Sequence, residues 1–300
     1  MNILVTGCNG FIGSAVSEYL ESAGHTVYAT NRQTLNLLSD KEVDYFFKTH
    51  IVDIVIHTAI AGGRRNRKDT AKDLYENILM FENLASRNDQ YQLFISFGSG
   101  AEYDRRMDIW MCDENLVDIS SPNDYYGLAK KNISQRMKAY NNMINLRLFG
   151  CFGPTESSDR FIKGSIRRYV DTEPMLVHQD RQMDFFYIGD LCKVIEYYVQ
   201  NFNKQDLPND LNMCYIEKMS LIDIANEINK LTKHTSRIIM KKDGYAKSYT
   251  GSGKKLFELG FKESPTTEKH MKLTGLRMGI HKTYKELQSV GQAKTNNDFG

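Results

Sequence analysis

A doubly wound parallel α/β sheet, carrying a smaller mixed α/β domain, is the fold class this sequence predicts. Three observations lead there. From residue 2 to about residue 150, short apolar runs rich in β-formers alternate with amphipathic segments of helical period, the pattern of repeated βαβ units. The strand-like runs are almost continuously apolar, as in "VDIVIHTA" at 52–59, which suits strands covered on both faces. Beyond Pro154 the alternation loosens into short mixed elements with more charge, the mark of a second and less regular domain.

The elements follow in order. "NILVT" (2–6) is a β-rich run that meets glycines at once, and "FIGSAVSEYLESAG" (11–24) is an amphipathic helix stopped by Gly24. "HTVYATNR" (25–32) is a second strand. In "SDKEVDYFFKTH" (39–50), Ser39 and Glu42 have capping-box spacing ahead of a helical pattern. "VDIVIHTA" is the third strand, "TAKDLYENILMFENLASR" (70–87) a helix and "YQLFISFG" (91–98) a strand. "DYYGLAKKNISQRMKAYN" (124–141) is a helix and "MINLRLFG" (143–150) a strand. "MDFFYIGDLCKVIEYYV" (183–199) reads as a strand turning into a helix, and "QAKTNNDFG" (292–300) as a loose tail. The expected division is 1–158, completed by about 181–212, for the first domain, and 159–180 with 213–300 for the second.

Bulk properties exclude several classes. Apolar residues are 41% and charged residues 25% of 300, an ordinary globular mix. A net charge of +2 implies no strong field for a nucleic acid polymer or a membrane. No apolar run approaches a membrane span, and the N-terminus enters a strand directly, which argues against a signal peptide. The five cysteines (Cys8, Cys112, Cys151, Cys192, Cys214) show no CxxC spacing and read as free thiols of a reducing, cytoplasmic compartment. The seven histidines show no HxxxH pair, so no metal site is expected.

The first chemical motif is "TGCNGFIG". Gly7, Gly10 and Gly13 stand three apart, after a strand and at the opening of a helix. A pyrophosphate at a helix N-terminus needs backbone N–H groups unobstructed by Cβ atoms, so this is a dinucleotide (Rossmann) fingerprint, with Asn9, Phe11 and Ile12 in the same turn. The alternative is a turn whose glycines only pack helix on strand. At the end of the second strand an acidic residue would meet a ribose 2′-OH; this chain has Asn31 and Arg32. A guanidinium suits a 2′-phosphate, so NADPH is favoured over NADH, although a solvated loop charge would look the same.

The second motif is "YGLAK". On a helix, Tyr126 and Lys130 lie on one face about 6 Å apart. An ammonium at that range lowers a phenol pKa by about 1–3 units, toward proton transfer at neutral pH. A YxxxK is common on surfaces; here it opens the helix after the fourth strand, whose carboxyl end faces the ligand crevice of such a sheet. The same edge supplies Ser99 in "FGSGAEYD", a neutral donor for a substrate carbonyl, with Gly100 beside it. Ser96 and Ser120 compete for the role, and a plain turn residue is the alternative reading of Ser99.

"TGCNGFIG", the serine four residues before the tyrosine in "SGAEY", then "YGLAK", "LRLFGCFGP" and "MDFFYIGDL" occur in an order that resembles the extended short-chain dehydrogenases/reductases, in their sugar-nucleotide epimerase/dehydratase/reductase branch. The resemblance covers roughly residues 1–200 and continues weakly through "YTGSGKKLFELGF" and "MGIHKTYKEL". "LNLLSDKEVDYFF" and "AGGRRNRKDTAKDLYENILMFENL" are similar to the GDP-L-fucose synthase group, NADPH-dependent enzymes of 4-keto-6-deoxy nucleotide sugars. The resemblance implies a general-acid role for Tyr126 at the C4 alkoxide. It implies that Lys130 lowers the tyrosine pKa and holds the nicotinamide ribose, and that Ser99 bonds the ketone. It places Leu148 and Phe149 near the nicotinamide and Leu37, Ala59 and Ile60 along the cofactor path. It also implies a homodimer and a GDP-linked substrate.

Departures narrow the reaction. Epimerising relatives use a cysteine and a histidine as acid and base; Ala101 and Arg160 stand at those places, and neither exchanges protons. C4 reduction without C3/C5 epimerisation is therefore expected. A usual asparagine is Gly150, and Met183 fills the arginine slot of "RDF", leaving Arg181, Arg160, Lys163 and Arg168 as cations for a diphosphate. The run "GGRRNRKD" (62–69) reads as a solvated loop. The competing readings are an NAD-retaining 4-epimerase or 4,6-dehydratase, for which Glu102 leaves a carboxylate nearby, and a non-enzymatic NADP-binding scaffold.

Overall fold

The computed structural model describes residues 1–63, 67–204, 207–263 and 271–297. It divides into two compact units. The first holds Met1–Met107, Cys112–Leu148 and Cys192–Met213, and the second Asp108–Met111, Phe149–Leu191 and Cys214–Gly300.

The first unit is built on a six-stranded sheet. Across it lie Asp210–Met213, Met143–Leu148, Leu93–Ser99, Ile54–His57, Asn2–Thr6 and Thr26–Thr30, in that order. Every pairing is parallel. From Asn2–Thr6 the chain goes to one side for its second strand and to the other side for its third. This reversal opens a crevice at the carboxyl ends of the two strands that flank it, where such sheets take ligands. The predicted strands are all present: Asn2–Thr6 has its predicted bounds, Leu93–Ser99 starts two residues and ends one residue later than expected, and the other three are two to four residues shorter.

The register explains the apolar runs. Leu4 pairs with Val55, Val55 with Phe94 and Phe94 with Met143, forming one apolar row across four strands. Helices Asp40–Thr49 and Ala71–Ala85 cover that row with Val43, Phe46, Phe47, Phe81 and Leu84. Phe81 meets Phe94 edge-on at 5.8 Å between ring centroids, a favoured aromatic geometry. Ile3, Val5, Ile54, Ile56, Ile95 and Ile144 alternate with this row and are buried too, as both faces of the sheet are covered.

Helix starts follow local chemistry. Ser39 caps its helix by accepting from Glu42 N–H at 3.3 Å, but the Glu42 carboxylate accepts from Asn36 N–H, so half of the expected capping box forms. A full box forms one helix later, between Thr70 and Asp73. "MDFFYIGDL…" is the expected strand turning into helix, Phe186–Tyr187 followed by Ile188–Asn201. The expected loose tail is a correction: helix Gly275–Asn297 runs into it, because its propensity outlasts the glycine at 291. Residues 298–300 lie outside the described residues, as do 64–66 of the basic run. No helix among the described residues is long and apolar enough to cross a membrane.

Candidate active site

The glycine loop connects the first strand to helix Phe11–Ser22. Gly7 has φ +72°, and a Cβ there would stand 2.7 Å from the Ala59 backbone. Glycine is therefore required twice over, for the turn and for the approach of two chain segments at the crevice. A Cβ on Gly13 would fall 2.3 Å from Gly7 O and 2.6 Å from Thr58 Oγ1, so this glycine packs helix on loop. Gly10 caps the helix with no side-chain hydrogen bond, and the first turn holds no acidic residue. These first-turn N–H groups and the helix dipole fit an anionic pyrophosphate. Gly7, Gly10 and Gly13 together form the close strand–turn–helix junction that the expected pyrophosphate site requires.

Asn31 and Arg32 sit at the end of the second strand. Asn31 Oδ1 accepts from Gln33 N–H at 2.8 Å, an Asx-turn, and Arg32 is exposed at its tip. Leu37 is buried in the apolar core, and its carbonyl accepts from Asn83 Nδ2. Ala59 N–H donates to Thr6 Oγ1 at 3.3 Å, whereas Ile60 is exposed. A cavity of about 510 Å³ beside the second strand, lined by Tyr28, Thr30, Thr34, Tyr45, Phe46 and His50, contains none of the sequence-predicted site residues.

Helix Tyr125–Met137 begins at Asp124, whose carboxylate accepts from Gly127 N–H at 2.9 Å. A Cβ on Gly127 would lie 2.4 Å from Ala101 O, so glycine lets the helix start pack directly on the turn that follows Ser99. Tyr126 is half-buried, with its ring edge against Gly63. Lys130 Nζ donates to Phe97 O at 2.7 Å, on the strand that ends at Ser99. Burial lowers the Lys130 pKa to about 8, opposed by the Glu102 carboxylate; the group remains mostly cationic at neutral pH. Ser99 Oγ accepts from Ala101 N–H at 3.2 Å, capping the 3₁₀ turn Gly100–Glu102. Of its competitors, Ser96 is buried within the strand, and Ser120 Oγ accepts from Asp104 N–H in a loop. Leu148 closes the next strand and is buried.

Sequence reasoning missed the polar layer beneath this site. Arg147 is completely buried. Its Nε donates to Glu102 Oε2 at 2.9 Å, Nη1 to Asn212 Oδ1 at 3.2 Å and Nη2 to Asp210, and it stands over the Tyr103 ring. His57 is also buried, with Nδ1 2.9 Å from Thr6 Oγ1; burial, then the Lys130 charge, pushes its pKa down to about 3 and keeps it neutral. The available signal was a charged or titratable residue inside an apolar strand, which must find partners to be buried.

The second unit holds Phe149, Arg160, Lys163, Arg168 and Arg181. Arg160 is the exposed N-cap of helix Phe161–Val170. Arg168 pairs with Glu173 at 2.9 Å, and Arg181 stands 5.8 Å from the Tyr249 ring centroid. Gly150 takes its place from packing: a Cβ there would lie 2.9 Å from Asp184 O. Lys163 N–H donates to buried Glu156. Burial raises the Glu156 pKa to about 7, opposed by Lys163 and Arg160. Being raised above the unfolded value, it contributes stability that is complete at acid pH and lost as pH climbs through 7. Glu156→Gln is expected to be about 1–3 kcal/mol more stable than the parent at pH 8, and no more stable at pH 4.5. Urea unfolding at the two pH values checks this; an equal difference at both contradicts it. Among the described residues no group of three His, Cys, Asp or Glu side chains is arranged to hold a metal.

A family model described as the NAD dependent epimerase/dehydratase family matches residues 3–214. The chain belongs to that family. The family match spans the glycine loop, Ser99, Tyr126 and Lys130. Among relatives, a GDP-L-colitose synthase of Yersinia pseudotuberculosis is 24% identical over 265 residues, covering 81% of this chain and 85% of its own. A GDP-L-fucose synthase of Sinorhizobium fredii is 22% identical, covering 96% of this chain and 95% of its own. Among solved structures, a GDP-mannoheptose C4 reductase from Campylobacter jejuni with NADP bound superposes with a TM-score of 0.80 at 19% identity, over 96% of this chain and 98% of that one.

Proposed function

We propose that the chain is an NADPH-dependent reductase of the C4 ketone of a nucleotide-linked 4-keto-6-deoxy sugar, acting without C3/C5 epimerisation. The observation that carries this reading is the packing of the Tyr126 helix onto the Ser99 turn through Gly127, with Lys130 anchored one helical turn further on. The C4 reductase named among the similar structures and the GDP-sugar synthases among the relatives support the substrate class.

In this reading the first unit holds the dinucleotide and the second the sugar nucleotide. Gly7, Asn9, Gly10, Phe11 and Ile12 hold the pyrophosphate, and Arg32 the 2′-phosphate. A reduced nicotinamide supplies hydride when bound. Ser99 donates a hydrogen bond to the ketone oxygen, and Tyr126 delivers the proton as that oxygen gains charge. The Lys130 ammonium favours proton loss from Tyr126. Arg160, Lys163 and Arg181 are the proposed partners of the substrate diphosphate. The Glu102 carboxylate is fully buried and paired with Arg147, which disfavours a dehydratase-type acid role for it.

A panel of 4-keto nucleotide sugars, assayed for NADPH oxidation with NMR of the product, tests the reading. Turnover of a 4-keto-6-deoxy sugar with no solvent deuterium at C3 or C5 beyond an enzyme-free control is expected. Enzymatic deuterium at either carbon refutes the no-epimerisation claim. Arg32→Ala is expected to weaken NADPH about 10- to 100-fold and to leave NADH unchanged, the scale of one charge-assisted hydrogen bond. Titration with both cofactors checks it, and equal losses contradict the 2′-phosphate assignment.

A further inference from the structure

We propose that Glu102, held by Arg147, is the positioning residue of this site: it fixes the Ser99 turn from within the protein and supplies the negative charge that sustains the Lys130 ammonium. The inference rests on the ketoreductase reading for its catalytic meaning, but its geometry is independent of it.

Glu102 is fully buried yet reaches two elements of the site. Its Oε1 accepts from Ser99 N–H at 2.8 Å, closing a reciprocal capping box with the Ser99 hydroxyl. Its Oε2 accepts from Arg147 Nε at 2.9 Å and Nη2 at 2.8 Å. Each of these partners is a donor, so the group is held as a carboxylate even though burial raises its pKa. The strand makes room for it at Gly98, where a Cβ would lie 2.4 Å from Glu102 Oε1 and 2.6 Å from Asn145 Oδ1. Arg147 is anchored in turn by Asp210 and Asn212, and Asn145 Nδ2 also bonds Asp210 at 2.9 Å. The ion pair is thereby fixed at the sheet, and Ser99 is fixed to the ion pair.

The coupling to Lys130 follows from the charges around it. Lys130 Nζ donates to Phe97 O at 2.7 Å and Glu102 Oε1 accepts from Ser99 N–H at 2.8 Å; these backbone groups, two residues apart on one extended strand, point the same way, so the carboxylate faces the ammonium, while neutral His57 lies on the third strand. Tyr126 lies one helical turn before it. Of these, Glu102 is the anion, and it acts against the burial that would strip Lys130 of its proton. A carboxylate buried beneath the Ser99 turn therefore governs the charge of Lys130.

The test is competitive acetylation of the cofactor-free protein with trace acetic anhydride from neutral to alkaline pH, reading the labelled fraction at Lys130 by mass spectrometry. Glu102→Gln keeps the shape and the acceptor for Ser99 N–H but removes the charge. It is expected to move the Lys130 titration to lower pH by about half a unit or more. Glu102→Asp keeps the charge and shortens the reach; it is expected to leave the titration near the parent value while losing more thermal stability than Glu102→Gln. A purely structural role moves the melting temperature alone, so an unmoved titration in folded Glu102→Gln overturns the inference. If that variant does not fold, the neutralised cluster Glu102→Gln with Arg147→Met and Asp210→Asn decides: a lowered Lys130 titration supports the inference and an unmoved one overturns it. Failure of the ketoreductase reading shows elsewhere, as unaltered turnover in Tyr126→Phe, and leaves the Lys130 titration untouched.

Discussion

Tyr126→Phe is expected to lower turnover of a 4-keto nucleotide sugar by about 10²- to 10⁴-fold, the usual worth of a positioned general acid. The substitution removes one hydroxyl from a half-buried ring resting against Gly63, so the helix and its packing on Ala101 remain. NADPH binding is expected to stay within a few-fold of the parent, because the glycine loop and Lys130 are unaltered. Single-turnover NADPH oxidation and equilibrium fluorescence titration separate the two effects. Unchanged turnover removes Tyr126 from the chemistry, and a loss of turnover matched by a loss of NADPH affinity assigns it to binding.

Arg147→Ala is expected to cost about 3–5 kcal/mol of folding stability. The loss does not measure an ion pair's net worth. Removing the guanidinium strands the fully buried Glu102 carboxylate, and Asp210 and Asn212 lose a donor at the same moment. That is a large fraction of a typical domain's stability, so low expression or a much lower urea midpoint is the expected outcome. Neutralising the group as a whole, with Arg147→Met, Glu102→Gln and Asp210→Asn together, is expected to recover most of it, since a buried ionic cluster gains little over neutral packing of similar volume. A loss below about 1 kcal/mol in Arg147→Ala contradicts the description of a closed buried network.

The two predictions mark what the sequence did and did not disclose. The sheet was legible because a two-face-buried parallel strand leaves an unmistakable apolar run, and because Ser39 caps the second helix and Gly24 stops the first. The glycine loop, Tyr126 and Lys130 were legible because their spacing is local: three residues in a turn, four on a helix. Leu37 shows the limit of that reasoning, since it lies in the apolar core, set by tertiary packing. The Glu102–Arg147–Asp210 layer was not legible. Its members are separated by 45 and 63 residues, and only the strand register of Leu93–Ser99, Met143–Leu148 and Asp210–Met213 brings them together. Gly98, Gly127 and Gly150 belong with them: each is a glycine because another segment approaches where a Cβ would be.

The central claim, net delivery of hydride to C4 of a keto sugar, is tested most directly with NADPH deuterated at the transferring C4 position of its nicotinamide. With a GDP-linked 4-keto-6-deoxy sugar, the account predicts one deuterium at sugar C4 for each NADPH consumed, and hydrogen from no other source there. Interconversion of C4 epimers with no net loss of NADPH, or a product whose C4 carries no label, would contradict it.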